Sequence, residues 1–213
     1  MAFLIILSRK YKAPVYNRCF LLFYFNLYIK TLMDIKVHQL TTELWPAFES
    51  LFGNHGACNG CWCMYWRIGA DYHKRSRDLN KQAFHKIVNN GGVPGLLAFQ
   101  DEIPIGWCQL TPKLSLNWLL KDDSIKSKDD ENIWCISCFY IKPRFRKKGV
   151  TSALIEAAIK FARKANASLL EAYPRDSNNS FTGYLSTFFK AGFIEVGQCK
   201  HGRTLVRKSL TDH

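Results

Sequence analysis

Acidic residues are scarce in this chain: 17 Asp and Glu stand against 30 Lys and Arg, a formal charge of +13 over 213 residues. So basic a balance asks for an anionic partner, whether nucleic acid, a membrane surface or a polyanionic cofactor. The sequence carries no helix-turn-helix, zinc-finger or aromatic RNA-binding signature, so nucleic acid is not the expected partner. Nor is the charge gathered in one tail: the first 32 residues hold five basic and no acidic residues, leaving +8 on the rest. A long apolar run is missing as well. The stretch from Cys19 to Ile29 has about half of the ~20 apolar residues a membrane helix needs. No convincing small-residue cleavage site follows it or the shorter run from Phe3 to Leu7. Stable membrane insertion is therefore not expected. The eight cysteines lack the look of a secreted disulfide framework. Cys108, Cys135 and Cys138 lie inside apolar strand-like runs, where a free thiol acts as a small hydrophobe. Reduced thiols in a cytoplasmic protein is the expectation.

What is present describes a globular chain. Hydrophobic residues make up 47% and aromatics 14%, enough for one domain with a sizeable core. Residues 1–32 stand apart in composition and read as an interfacial anchor, an added element or sequence upstream of the true start. An N-terminal extension or mis-assigned start is the favoured expectation, with the domain spanning 33–213. A first strand is expected at 34–40. A helix from Thr41 or Thr42, with one of them as cap, should carry Leu44, Ala47, Phe48 and Leu51 inward. The irregular segment 53–67 follows, then a helix over 78–90 with Leu79, Ala83, Phe84, Ile87 and Val88 inward. Residues 94–112 read as a β-hairpin with a polar turn at Gln100-Asp101-Glu102. The charged stretch 121–131 reads as an exposed loop.

The most informative stretch begins with the apolar run 134–141, expected as a buried strand. It breaks at Pro143, passes through basic residues, turns on Gly149 and enters an amphipathic helix. Val150, Ala153, Leu154, Ala157, Ala158, Phe161 and Ala165 repeat at helical spacing and should face a sheet. Strand, basic turn and helix N-terminus make a seat for phosphate: the first N–H groups of the helix have no intrahelical partner and carry the positive dipole end. Further strands at 168–173, 193–196 and 204–208, and a last helix over 180–190, complete an alternating α/β order in which a right-handed parallel crossover is expected.

That order, with Arg146-Lys-Lys-Gly149-Val-Thr151 and Phe188-Phe-Lys-Ala-Gly-Phe193, resembles the GNAT acyltransferase superfamily. Its acetyl-CoA signature is Arg/Gln-x-x-Gly-x-Gly/Ala, met here except at Thr151. The resemblance covers about residues 34–210. With Pro94-Gly-Leu-Leu and Glu171-Ala-Tyr-Pro174, the Cys61-Trp62-Cys63 segment also resembles an uncharacterised bacterial GNAT subgroup. The resemblance implies an α/β (α+β) fold: a mixed sheet of six to seven strands flanked by about four helices, with splayed central strands. It implies a cytoplasmic N-acetyltransferase that moves an acetyl group from acetyl-CoA to a primary amine of an unidentified acceptor, and often a homodimer. A coenzyme-binding module without catalysis, and a basic protein of nucleic acid or membrane surfaces, stand as alternatives.

Residue by residue, the resemblance gives Arg146, Lys147, Lys148, Gly149, Val150 and Thr151 to the coenzyme diphosphate. An ordinary solvated basic helix start is the plainer alternative. Phe139, Tyr140 and Ile141 fall where the strands splay at a bulge, and their main chain would pair with the pantetheine arm. Phe188 stands where many relatives place a tyrosine general acid, and a phenyl ring cannot protonate a thiolate. Tyr184, one turn earlier, and Tyr173 are the substitutes. Glu171 is the candidate base or amine anchor, unless it is an outward-facing strand carboxylate. His55, Cys58, Cys61 and Cys63 could compose a Cys₃His zinc site, but no second ligand pair closes it and no metal is expected. The same segment would instead border the acceptor, with Trp62, Tyr65, Trp66 and Arg67 shaping the pocket and Arg67 on a substrate carboxylate, though part of that aromatic cluster would be core.

Overall fold

The structure, a computed structural model, describes residues 34–92, 94–125, 130–175, 181–199 and 202–211. The expectations for residues 1–32 lie outside them. Strands β1 (Ile35–Gln39), β2 (Leu96–Gln100), β3 (Ile103–Pro112), β4 (Ile133–Ile141), β5 (Leu169–Ala172), β6 (Ile194–Cys199) and β7 (Arg203–Ser209) form one sheet in the order β1-β2-β3-β4-β5-β7-β6. Every pairing is antiparallel except β4 with β5, which is parallel and joined through a helix. The chain thus has the mixed seven-stranded sheet expected. β7 inserts between β5 and β6. β3 and β4 read as apolar runs because both of their faces are covered.

Helices α1 (Trp45–Phe52), α2 (Tyr65–Ile68), α3 (Arg77–Asn89), α4 (Val150–Lys164) and α5 (Leu185–Lys190) flank the sheet. Neighbouring residues of a strand point to opposite faces, and β3 shows which helix covers which. Trp107 meets Phe48 of α1 with ring centroids 4.8 Å apart. A Cβ on Gly106 would lie 2.7 Å from the Val150 side chain and 3.4 Å from that of Leu154, both on α4. Only glycine lets α4 settle this close to β3.

Several local expectations shift. The α1 cap is neither Thr41 nor Thr42: both offer carbonyls to a turn, Leu44 occupies the N-cap and Pro46 sits in the first helical turn. Ser76 caps α3, its Oγ accepting from Leu79 N–H at 3.2 Å. Leu79 is exposed and Asn80 is buried in its place. Along α4, Ile155, Ile159 and Ala162 are buried, while Ala153, Ala157 and Phe161 are half-buried and Ala165 is exposed. The apolar stripe is rotated, because two isoleucines fill the sheet face better than alanines. Within the stretch expected as an exposed loop, Lys121, Asp123 and Ser124 are exposed but Ile125 is a core residue, joining Leu116 and Leu119 from just before it.

Candidate active site

The turn between β4 and α4 is specified locally. Pro143 opens a 3-10 turn, Pro143–Phe145, and Lys147 and Gly149 then take φ of 59° and 81°. Gly149 is the N-cap of α4 in the left-handed conformation, which glycine adopts without a Cβ penalty. The first intrahelical bond runs from Ala153 N–H to the Gly149 carbonyl at 3.0 Å. The N–H groups of Val150, Thr151 and Ser152 therefore lack partners within the helix and sit at its positive end. Arg144, Arg146, Lys147, Lys148 and Gly149 are all exposed, and a Cβ added at Gly149 would meet nothing within 4 Å. The cradle is open, basic and rich in donors, as a coenzyme diphosphate requires. Arg146 has a second duty, since its Nε donates to the Ile141 carbonyl at 3.2 Å and closes the turn.

Beside the cradle the sheet opens. β4 and β5 pair from Ile133↔Leu169 to Ile136↔Ala172; β5 then ends while β4 continues to Ile141. Gln109 pairs with Cys138 and Leu110 with Ile136, so Ser137 is the bulged residue. The Phe139 edge is occupied: its N–H donates to the Phe181 carbonyl at 2.6 Å. This corrects the expectation that the Phe139 main chain is open to pantetheine, which can pair there only if residues 181–183 give way. The side chains of β4 divide as the pleat dictates. Tyr140 faces the α1 side, whereas Ile141 comes close to Gly106 on the α4 side.

A cavity of about 290 Å³ lies on the α1 side of this splay. Its walls include Phe52, Cys61, Cys63, Tyr65, Trp66 and Tyr140, and its polar groups include Gln109, Arg175 and Arg203. Segment 53–63 forms one wall under evident strain: Gly53, Gly56, Ala57, Asn59, Gly60, Trp62 and Cys63 all take positive φ. Long-range bonds hold it. Trp107 Nε1 donates to Cys63 Sγ at 3.0 Å, Gln109 Nε2 to the Cys63 carbonyl at 3.0 Å and Asn80 Nδ2 to the Gly60 carbonyl at 2.9 Å. Burial pushes the Cys61 thiol up to about 12, with Cys138 adding to the shift. Burial likewise raises Cys63 well above the usual thiol range.

A profile of the acetyltransferase (GNAT) family matches residues 40–184, more than half of the chain. The chain belongs to the GNAT acetyltransferase family. Solved structures agree on the fold. The PaiA N-acetyltransferase of Thermoplasma acidophilum, in complex with coenzyme A, is 18% identical at a TM-score of 0.52, over 83% of this chain and 99% of that one. An N-acetyltransferase of Staphylococcus aureus is 14% identical at a TM-score of 0.54, over 84% and 99%. The yncA protein of Salmonella typhimurium, solved with its cofactor acetyl-CoA, is 16% identical at a TM-score of 0.53, over 84% and 95%. No functionally curated protein matches the chain significantly.

Within this GNAT chain, the sequence-chosen catalytic residues do not meet at the cavity. Glu171 is fully buried and saturated. Its Oε1 accepts from Arg207 Nε and Nη2, both at 2.7 Å, and its Oε2 from Tyr173 OH at 2.6 Å, with Lys113 Nζ 3.1 Å away. With its oxygens so engaged, the carboxylate has no open lone pair for an incoming ammonium. Tyr173 is held by Glu171 and lies 3.4 Å from Cys135 Sγ. Burial raises its phenol well above the usual range. Tyr184 is not on the α5 face but is its N-cap in extended conformation, and its side chain is exposed. Phe188 is buried against Phe139 and Phe193.

The acceptor candidates divide. Tyr65 and Trp66 line the cavity. Trp62 is core, packed with Phe52 and Trp45 at centroid distances of 5.5 and 6.3 Å. Arg67 points elsewhere, its Nη1 donating to the Ser115 carbonyl at 2.9 Å. His55 is exposed, with Nδ1 3.2 Å from Arg77 Nη1, apart from the buried Cys63. Among the described residues no group of three or more His, Cys, Asp or Glu is arranged to hold a metal. Nor is any helix among them long and apolar enough to cross a membrane. Gln109, Arg203 and Lys113 were missed by sequence reading. A buried polar residue in an apolar strand was the available signal for Gln109; nothing marked the other two.

Proposed function

We propose that the protein is an N-acetyltransferase that transfers the acetyl group of acetyl-CoA to a primary amine by direct attack on the thioester. One observation carries this reading: an open basic helix N-terminus follows β4 where the sheet splays beyond Ala172, with a cavity on the α1 side of that splay. The cosubstrate supplies an acetyl group already activated as a thioester. The N–H groups of Val150, Thr151 and Ser152, with Lys147 and Lys148, hold the diphosphate. The β4 strand from Phe139 to Ile141 orients the arm once residues 181–183 give way at the Phe139 N–H, Phe188 packs behind it, and the aromatic walls exclude water from the reacting carbonyl. No Asp, Glu or His is among the described residues lining the cavity. With Glu171 engaged by Arg207, Tyr173 and Lys113, the amine loses its proton to water at the cavity mouth rather than to that carboxylate. A thiolate leaving group, whose thiol titrates near ~8.5, departs without a residue acid. Glu171 becomes a positioning residue, fixing β5 against β7. Free thiols at all seven described cysteines support a reducing, cytoplasmic setting.

Thiol release from acetyl-CoA, followed with a panel of primary amines, tests the reading. Amine-dependent release whose kcat/KM rises with pH along the acceptor amine's own titration is expected. Acetyl-CoA binding without release by any amine would instead make the chain a coenzyme-binding module, a reading favoured by the saturated Glu171 and the buried Phe188.

A further inference from the structure

We infer that the acceptor is a small amine bearing a carboxylate beside an apolar or aromatic side chain, and that Arg203, with Arg175, seats that carboxylate. The inference rests on the acetyltransferase reading and adds the chemical class of its acceptor. Along β7, Arg203, Leu205 and Arg207 fall on one face. Arg207 pairs with Glu171 across the β5–β7 register, which runs on through Ala172↔Val206. The Thr204 N–H still reaches the Pro174 carbonyl at 3.1 Å, so position 175 falls opposite Arg203. The sheet that gives Arg207 a carboxylate thus sets an arginine opposite Arg203. Like charges across a strand pair repel, and an anion between them removes that repulsion.

Arg203 is also prepared for a ligand. Its guanidinium carbon lies 4.8 Å from the Trp66 ring centroid, a contact that holds the head group against the ring. Its Nε is buried without a hydrogen-bond partner. A donor kept from water without an acceptor is unfavourable until a ligand supplies one. Arg203 and Arg175 both line the 290 Å³ cavity, where no described lining residue is acidic. Asp122 borders an adjoining cavity with Arg203 and, among its interactions, accepts from Ser124 N–H at 3.0 Å and from Ser124 Oγ. A planar guanidinium fork matches a carboxylate with two parallel bonds. The remaining walls, among them Phe52, Tyr65, Trp66 and Tyr140, suit an apolar side chain.

Two arms test the proposal. In the first, turnover of phenylalanine and its methyl ester is compared at saturating acetyl-CoA. The acid should be preferred, and Arg203→Gln should raise its KM by about tenfold or more while the ester changes little and Arg203→Lys falls between. Equal use of acid and ester, or an equal loss on both in Arg203→Gln, overturns it. The second arm needs no turnover: calorimetry with N-acetylphenylalanine and its primary amide. Tighter binding of the acid by about tenfold, abolished in Arg203→Gln, supports the proposal. Equal binding of the two, or binding of neither, overturns it. Acetyl-CoA titration of the same variants shows whether the coenzyme site is intact, so a failure of the acetyltransferase reading is recognised separately.

Discussion

Turn 142–151 and segment 53–63 both hold non-glycine residues at positive φ, yet they are specified by opposite means. The turn is contiguous: Pro143, Lys147, Gly149 and the start of α4 lie within ten residues, and its ties to β3 are Lys142 N–H on the Ile105 carbonyl and Val150 against Gly106. Segment 53–63 is fixed from a distance by Trp107, Gln109 and Asn80 on two other elements. A locally coded cradle suits a coenzyme shared by a whole family. A wall held by tertiary contacts can be reshaped without disturbing that cradle, which suits an acceptor site. The two should therefore fail independently.

The largest expected effect comes from the tertiary side. Glu171→Ala leaves the fully buried Lys113 without its carboxylate and should destabilise the fold by about 3–5 kcal/mol. Denaturant unfolding measures this, and protein that remains folded should still bind acetyl-CoA. A smaller effect is expected from Gly56→Ala. Its Cβ would lie 2.5 Å from Trp62 Nε1, at φ of +61°, a strain of about 1–3 kcal/mol. Unfolding should report the loss while acceptor KM rises and the acetyl-CoA dissociation constant stays put; equal damage to both sites would break the comparison.

The effect that is smallest at neutral pH is a pH dependence seen only above about pH 9. Burial holds Cys61 protonated up to about 12, against an ordinary value of 9.0. Its contribution to stability is complete below the unfolded value and is lost as pH rises from about 9 towards 12. Thermal unfolding of the protein and of Cys61→Ala across that range should show a shallower decline in the variant.

The same contrast explains what could be read from the chain. Strand 134–141, Gly149 and the helix after it were legible because period, turn and cap are local signals. The splay followed from the resemblance, and the structure agrees. Four placements were not legible, and two of them were decided by partners distant in sequence. Trp62 went to the core because its left-handed backbone turns it away from the cavity. Glu171 closed on Arg207 because β7 inserts beside β5, an order that no periodicity encodes. Asn80 replaced Leu79 at the α3 interface because a helix-borne amide was needed for the Gly60 carbonyl. Tyr184 left the α5 face because the helix begins one residue after it.

The central claim, that turn 142–151 is a self-contained coenzyme cradle, is tested most directly by the melting temperature with and without acetyl-CoA. At a hundredfold excess over the dissociation constant the native protein should gain about 2.7 kcal/mol of stability, seen as a higher Tm. Gly149→Asp should melt somewhat below the parent when free, because a side chain at φ of +81° carries a strain of about 1–3 kcal/mol although nothing lies within 4 Å of the added Cβ, and it should lose the shift because its charge opposes the diphosphate. An undiminished shift in Gly149→Asp, or no shift in the folded native protein, would contradict the account.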